Sequence, residues 1–195
     1  MISSAEKKLV RKLKARVPGA FETLINQHQT SVFNLVYRML GSRAEAEDLA
    51  QEIFITIFKQ IESFRGDSSL ETWIYKVASN HCINRKKYLA RRQYYTRSSF
   101  TELGDNKRTV EDKASMVSNM PRPDEEAEGL QMERLLQDAI TSLDDEHRLV
   151  LVLRDIQNLS YEEIEEIIGV PAGTVKSRLH RARMALKKKL KEHLR

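Results

Sequence analysis

The sequence predicts an all-α protein built as two small helical domains joined by a flexible linker, the second domain a helix-turn-helix. Apolar residues recur at three- and four-residue steps through most of the chain, and strand-like alternation is absent. Gly and Pro, the residues that most often break helices, number 7 and 4 among 195 residues. Between about Tyr94 and Gly129 the helical period disappears, and Gly104-Asp105-Asn106, Ser118-Asn119 and Pro121-Arg122-Pro123 punctuate a polar stretch.

Residues 1–19 read as a basic N-terminal extension carrying Lys7, Lys8, Arg11, Lys12, Lys14 and Arg16, a charge run that suits the solvated face of a helix start. The first module spans 20–93. Phe21, Leu24, Ile25, Val32, Leu35, Val36 and Met39 mark its first apolar face, which breaks at Gly41-Ser42. From Arg43 to Ser63, Leu49, Ile53, Ile57 and Ile61 recur at four-residue steps, and Phe54 and Phe58 widen the stripe. Phe64 to Ser69 is a loop by its glycine and small polar residues. Leu70 to about Arg92 is helical again and grows steadily more basic. After the linker, 94–129, the second module spans 130–195. Leu135, Leu136, Ile140 and Leu143 set up one helix there, and Leu149 to Ile156 another.

The helix-turn-helix follows. Ser160 is a good N-cap and Glu163, three positions on, completes a capping box. Ile164, Ile167 and Ile168 give a short helix one apolar face, Gly169 supplies the permissive backbone of the turn, and Pro171 suits the first position of the next helix. In that helix Val175, Leu179, Ala182 and Leu186 form the buried stripe, so Ser177, His180 and Arg181 point outward, where a major groove would place base edges. Lys176, Arg178 and Arg183 flank them within reach of phosphates. Glu165 stands where such motifs usually place alanine, which implies a looser interhelical contact or a side chain at its edge.

Lys and Arg total 33 against 28 Asp and Glu, a net charge of +5 concentrated near the two ends, as suits a polyanionic partner. The single Cys excludes an intramolecular disulfide, and no apolar run is long enough for a membrane span or a signal peptide, so a cytoplasmic protein is expected. The chain has no Gly-rich phosphate loop and no convincing nucleophile–base set, so no catalytic residue is assigned. His81-Cys82 offers no metal site, because adjacent helical side chains diverge by about 100°. Neither metal, cofactor nor small-molecule substrate is expected, and Cys82 reads as a small buried residue.

In the first module, Phe64, Trp73, Tyr75 and Tyr88 lie among Arg65, Lys76, Arg85, Lys86 and Lys87, a mixture suited to unpaired nucleic acid. Trp73 favours a core position, and Phe64 suits either a stacking platform or the core. The segment Ser63-Phe-Arg-Gly-Asp-Ser-Ser-Leu-Glu-Thr-Trp-Ile-Tyr-Lys-Val-Ala-Ser-Asn80, preceded by Asp48-Leu-Ala-Gln-Glu-Ile-Phe54 and followed by the C-terminal motif, resembles the extracytoplasmic-function (ECF) sigma factors of the sigma-70 family, sigma-E type.

The resemblance covers nearly the whole chain and implies a promoter-recognition subunit of bacterial RNA polymerase. Its partners would be core polymerase, through the clamp helices of the largest subunit and the flap, then promoter DNA and an anti-sigma factor. Asp48, Gln51, Glu52 and Phe54 would belong to the clamp contact. Phe64 and Arg65 would lie on the loop that shapes a pocket for a flipped base of the -10 element, with Asn80 nearby, while Lys76, Asn84, Arg85 and Lys86 hold backbone phosphates. Arg154, Thr174, Ser177, His180 and Arg181, with the flanking cations, would read the -35 duplex. The competing reading is a free-standing regulator whose first module is a sensor, since helix-turn-helix motifs serve many regulators. The Phe64-to-Asn80 segment favours the sigma reading.

Overall fold

The computed structural model describes the backbone of residues 3–101 and 123–193 and, within those, all side chains except 93–101, 123–128 and 193. Among the described residues every regular element is helical: α1 Ser4–Lys14, α2 Ala20–Leu40, α3 Arg43–Gln60, α4 Leu70–Thr101, α5 Pro123–Thr141, α6 Asp145–Leu151, α7 Tyr161–Ile168 and α8 Ala172–His193. A 3-10 turn, Ile61–Ser63, ends α3, and a π turn, Val152–Ile156, ends α6. None of these helices is long and apolar enough to cross a membrane.

Local chemistry sets the boundaries. Ser3, Ser42 and Ser160 each accept a hydrogen bond from the amide three residues on, satisfying a donor that the helix start leaves open. At the end of α2, Gly41 takes the left-handed conformation, φ +84°, and returns its N–H to the Tyr37 carbonyl. A Cβ there would stand 2.9 Å from Thr141 Cγ2, so the second module closes on this turn as well.

In the first module α2, α3 and α4 pack on one another. Leu24, Val32, Leu35, Val36 and Met39 meet Leu49, Ile53, Ile57, Ile74, Ala78 and Cys82, all buried. Burial also pushes the Cys82 thiol up to about 12, the behaviour of an inert core cysteine. The second module gathers α5, α6 and α7 around α8, with Leu149 to Leu153, Ile164, Val175, Leu179 and Ala182 inside.

The basic run expected as a helix start is a helix with a second, apolar side: Leu13 is buried, Leu9 and Val10 lie against the core, and α1 packs on α2 and the 3-10 turn. Two expectations are corrected. The interval 94–129 is helical at both ends, because α4 continues to Thr101 and α5 begins at Pro123; the Gly104, Ser118 and Pro121 signals lie outside the described residues. Pro171 precedes the first turn of α8 rather than opening it, and its carbonyl accepts the N–H groups of Thr174 and Val175.

The modules are also joined to each other. Arg38 of α2 donates to Gln137 Oε1 at 2.8 Å and pairs with Glu133 at 2.7 Å. Gln137 donates in turn to the Tyr37 carbonyl at 3.1 Å. Tyr75 Oη donates to Gln157 Oε1 at 2.7 Å, and Lys86 pairs with Asp145. Arg148, 4% exposed, lies at the centre: its guanidinium donates to the carbonyls of Ile140 (3.1 Å), Leu143 (2.8 Å) and Thr141, and across the junction to Met39 (2.6 Å). Burial presses its pKa below the ordinary arginine value, against the fields of Asp145 and Asp144.

Candidate nucleic-acid interface

Helix α8 divides cleanly. Val175, Leu179 and Ala182 are buried against the module, while Ser177, His180 and Arg181 are exposed together on the far side. Thr174 is half-buried, and its carbonyl accepts from Ser177 Oγ at 3.0 Å. The flanking cations differ in what they touch. Arg178 pairs with Glu146 at 2.7 Å, and Arg183 forks onto both oxygens of Asp155 at 2.9 and 2.5 Å. Lys176 lies 5.4 Å from the centre of the Tyr161 ring. The Arg178 pair is a single contact, whereas Arg183 and Asp155 form the bidentate geometry in which such a pair is strongest. Among the described residues Arg181 has no carboxylate partner.

Arg154 sits in the π turn, where Gln157 N–H reaches back five residues to the Val152 carbonyl. Its guanidinium donates to the Leu159 carbonyl at 2.6 Å and lies 5.0 Å from the Tyr161 ring centre. It therefore fixes the approach to α7 before meeting any ligand.

The capping box of α7 is complete: Ser160 Oγ accepts from Glu163 N–H, and Glu163 accepts from Ser160 N–H at 2.8 Å. Glu165 lies at the edge of the motif, exposed, and its carboxylate accepts the Ala172 N–H at 3.0 Å. It supplies from α7 the cap that Pro171 cannot give α8. Glu165→Ala is expected to lower unfolding free energy by about 0.5–1 kcal/mol, and Glu165→Gln, which keeps an acceptor, by less. Urea denaturation checks this, and equal losses in the two variants would remove the capping role.

On α3, Asp48 and Gln51 are exposed, whereas Phe54 is 8% exposed and forms the inner wall of an apolar groove between α2 and α3. Phe21, Ile25, Phe33 and Ile55 line the same groove, and Ile55 is 53% exposed. Ile55 lies outside the four-residue stripe that the sequence shows, and a helix surface carries single apolar residues routinely, so periodicity gives no signal for it.

The basic end of the first module is more committed than its composition implies. Arg85 bridges α4 to α3, pairing with Glu45 at 2.9 Å and Glu52 at 2.7 Å. Burial opposes its charge, but the hydrogen bonds and fields of Glu52 and Glu45 hold its pKa above the ordinary value. Arg85 and Glu52 are therefore an internal brace, and Lys86 is engaged with Asp145. Lys76, Asn80 and Asn84 are exposed at four-residue steps along α4, continuing to Tyr88.

Phe64 is 3% exposed and packs on Trp73, ring centres 5.5 Å apart. It is a wall of the loop and no stacking platform, since its ring is spent in the core. Arg65 beside it is exposed, Gly66 has φ +83°, and Ser69 caps α4 by accepting from Thr72 N–H at 3.0 Å.

Two family models match this chain: Sigma-70 region 2 over residues 24–92 and Sigma-70, region 4 over residues 133–186. The chain is 35% identical to the ECF RNA polymerase sigma factor SigW of Bacillus subtilis, covering 95% of this chain and 97% of that protein. It is 31% identical to the ECF RNA polymerase sigma-E factor of Escherichia coli, over 96% and 95% of the two chains. Its fold is similar to sigma factor RpoE of Bartonella quintana, solved with the anti-sigma factor NepR (TM-score 0.68, 21% identity, 89% of this chain and 98% of that one). It is equally similar to CnrH, solved with the cytosolic domain of CnrY (TM-score 0.68, 17% identity, 97% and 99%).

Proposed function

The chain belongs to the ECF RNA polymerase sigma factors of the sigma-70 family, and from that premise we propose how it divides the work of initiation. Helix α8 reads the -35 element as duplex. The exposed face of α4 and the loop 64–69 engage the -10 element, taking one base out of the stack so that binding energy becomes strand opening. Asp48 and Gln51 of α3, with Ile55 and the apolar groove beside them, dock on core polymerase. The observation that carries this reading is the division of α8, which presents Ser177, His180 and Arg181 on one exposed face while Val175, Leu179 and Ala182 are buried opposite and Leu186 is half-buried. Phosphates on its flanks position the helix, and base edges specify it.

Initiation on core polymerase places this work in the cytoplasm. An anti-sigma protein is the other proposed partner, extended from the partners seen with NepR-bound RpoE and CnrY-bound CnrH.

The test is reconstitution with bacterial core RNA polymerase and transcription from a genomic promoter library. Discrete start sites preceded by shared -35 and -10 elements support the reading. Failure to bind core, with duplex binding retained, favours the free-standing regulator. On the -35 duplex so identified, Arg181→Ala is expected to lose about 1–3 kcal/mol and relax base preference. An equal loss on scrambled duplex would remove Arg181 as a base reader.

A further inference from the structure

We propose that α1 is a nucleic-acid contact in its own right: Lys7 and Arg11, with Arg65 of the loop, form a cationic cleft that takes the phosphates of an unpaired DNA strand. This rests on the promoter-opening reading above and adds to it two side chains from outside both matched segments.

Lys7, Arg11 and Lys14 follow one another at about one helical turn, so a single stripe of α1 faces the loop. Between stripe and loop lies a cavity of ≈ 330 Å³, with Val10 and Phe64 as apolar walls and Lys7, Arg11, Lys14 and Arg65 around it. Cations gathered around one open cleft suit the phosphates of a single strand, since a positively charged groove tracks the backbone whatever the base.

The cleft is built in advance. Lys14 Nζ donates to the Phe64 carbonyl at 2.7 Å, just before Arg65, and Glu6 of α1 accepts the Leu70 N–H just after Ser69. Arg16 anchors the far end of α1 on the Phe58 carbonyl at 2.9 Å. The loop is thus held at both ends by the helix that supplies the cations, which lowers the ordering cost of binding.

Charge allocation points the same way. Arg85 and Lys86, the cations that composition singles out, are occupied by Glu45, Glu52 and Asp145. Among the described residues no carboxylate pairs with Lys7, Arg11 or Arg65, and all three are exposed. Lys8 and Lys12 line a different cavity, on another side of α1. They provide a control of equal charge on the same helix.

The experiment compares the full chain with Lys7→Ala/Arg11→Ala and Lys8→Ala/Lys12→Ala, by fluorescence anisotropy with an oligo(dT) of about sixteen nucleotides over a series of salt concentrations. Circular dichroism and binding to core polymerase are measured on each protein. Loss of two phosphate contacts makes the slope of log K against log salt shallower by about 1.4 for the first variant, with the second unchanged. Equal effects in both variants would mean a general field and overturn the cleft, as would an unaltered slope in the first or no strand binding by the parent chain. Tighter capture of poly-glutamate than of oligo(dT), lost in the first variant, also overturns it by assigning the cleft to an acidic polypeptide. Failure of the parent chain to bind core polymerase sinks the sigma reading instead, so the two failures are distinguishable.

Discussion

Replacing Arg148 with alanine is expected to lower the unfolding free energy by about 3–5 kcal/mol, the range for removing one partner from a buried charged network. The substitution strips donors from four carbonyls at once, those of Ile140, Thr141 and Leu143 at the end of α5 and that of Met39 at the end of α2. Both helix ends carry partial negative charge, so the guanidinium answers two dipoles as well as four lone pairs. Arg148→Lys restores the charge without the planar fork and is expected to recover a minor part of the loss. The diagnostic readout is cooperativity. The parent chain should unfold in urea as one transition, because the two modules share this arginine, and Arg148→Ala should separate into two. A single transition with an unchanged midpoint would show that the junction contributes nothing to stability.

The second large effect concerns core polymerase. Ile55→Glu places a charge in the apolar groove at a position already 53% exposed, so unfolding free energy should change by no more than about 0.5 kcal/mol. Affinity for core polymerase should fall by about 2–3 kcal/mol, or roughly 30- to 150-fold, as for loss of a central interface contact. Titration of labelled polymerase measures the second quantity and urea denaturation the first. Unchanged polymerase affinity would move the docking surface away from this groove. Glu52→Lys is a poorer probe of the same surface, because it sets a cation against Arg85 and loosens α3 from α4.

Elements whose cause lies within a few residues were legible in the sequence. Gly41-Ser42 ends one helix and starts the next through a left-handed glycine and a serine cap, and Ser160 with Glu163 closes the capping box on itself. The buried and exposed faces of α8 follow from period alone. What periodicity could not supply were partners distant along the chain. Arg85 and Lys86 read as free cations because Glu45, Glu52 and Asp145 stand 40, 33 and 59 residues away. Arg148 beside an apolar run has the pattern of a solvated edge, and Met39, its cross-module acceptor, lies 109 residues away. The basic run of α1 reads as a helix start with a solvated face, and what that reading lacks is its apolar stripe, because five cations dominate the composition of α1 while Leu9, Val10 and Leu13 do the packing. Glu165 is conspicuous in the sequence by its residue type, yet its capping role depends on the position of Ala172.

The junction has a consequence for selection among partners. Any ligand that holds the two modules in the arrangement seen here finds them already oriented, and its binding free energy is spent on contact alone. A ligand that requires them apart must first break the Arg148–Met39, Tyr75–Gln157 and Arg38–Glu133 contacts. Each 1.4 kcal/mol stored there lowers that ligand's apparent affinity tenfold, by reducing the fraction of molecules competent to receive it. The half-exposed Lys86–Asp145 pair weakens with ionic strength more than the buried Arg148 contacts do, so the preference between compact and extended partners is adjustable by salt within limits set by one arginine.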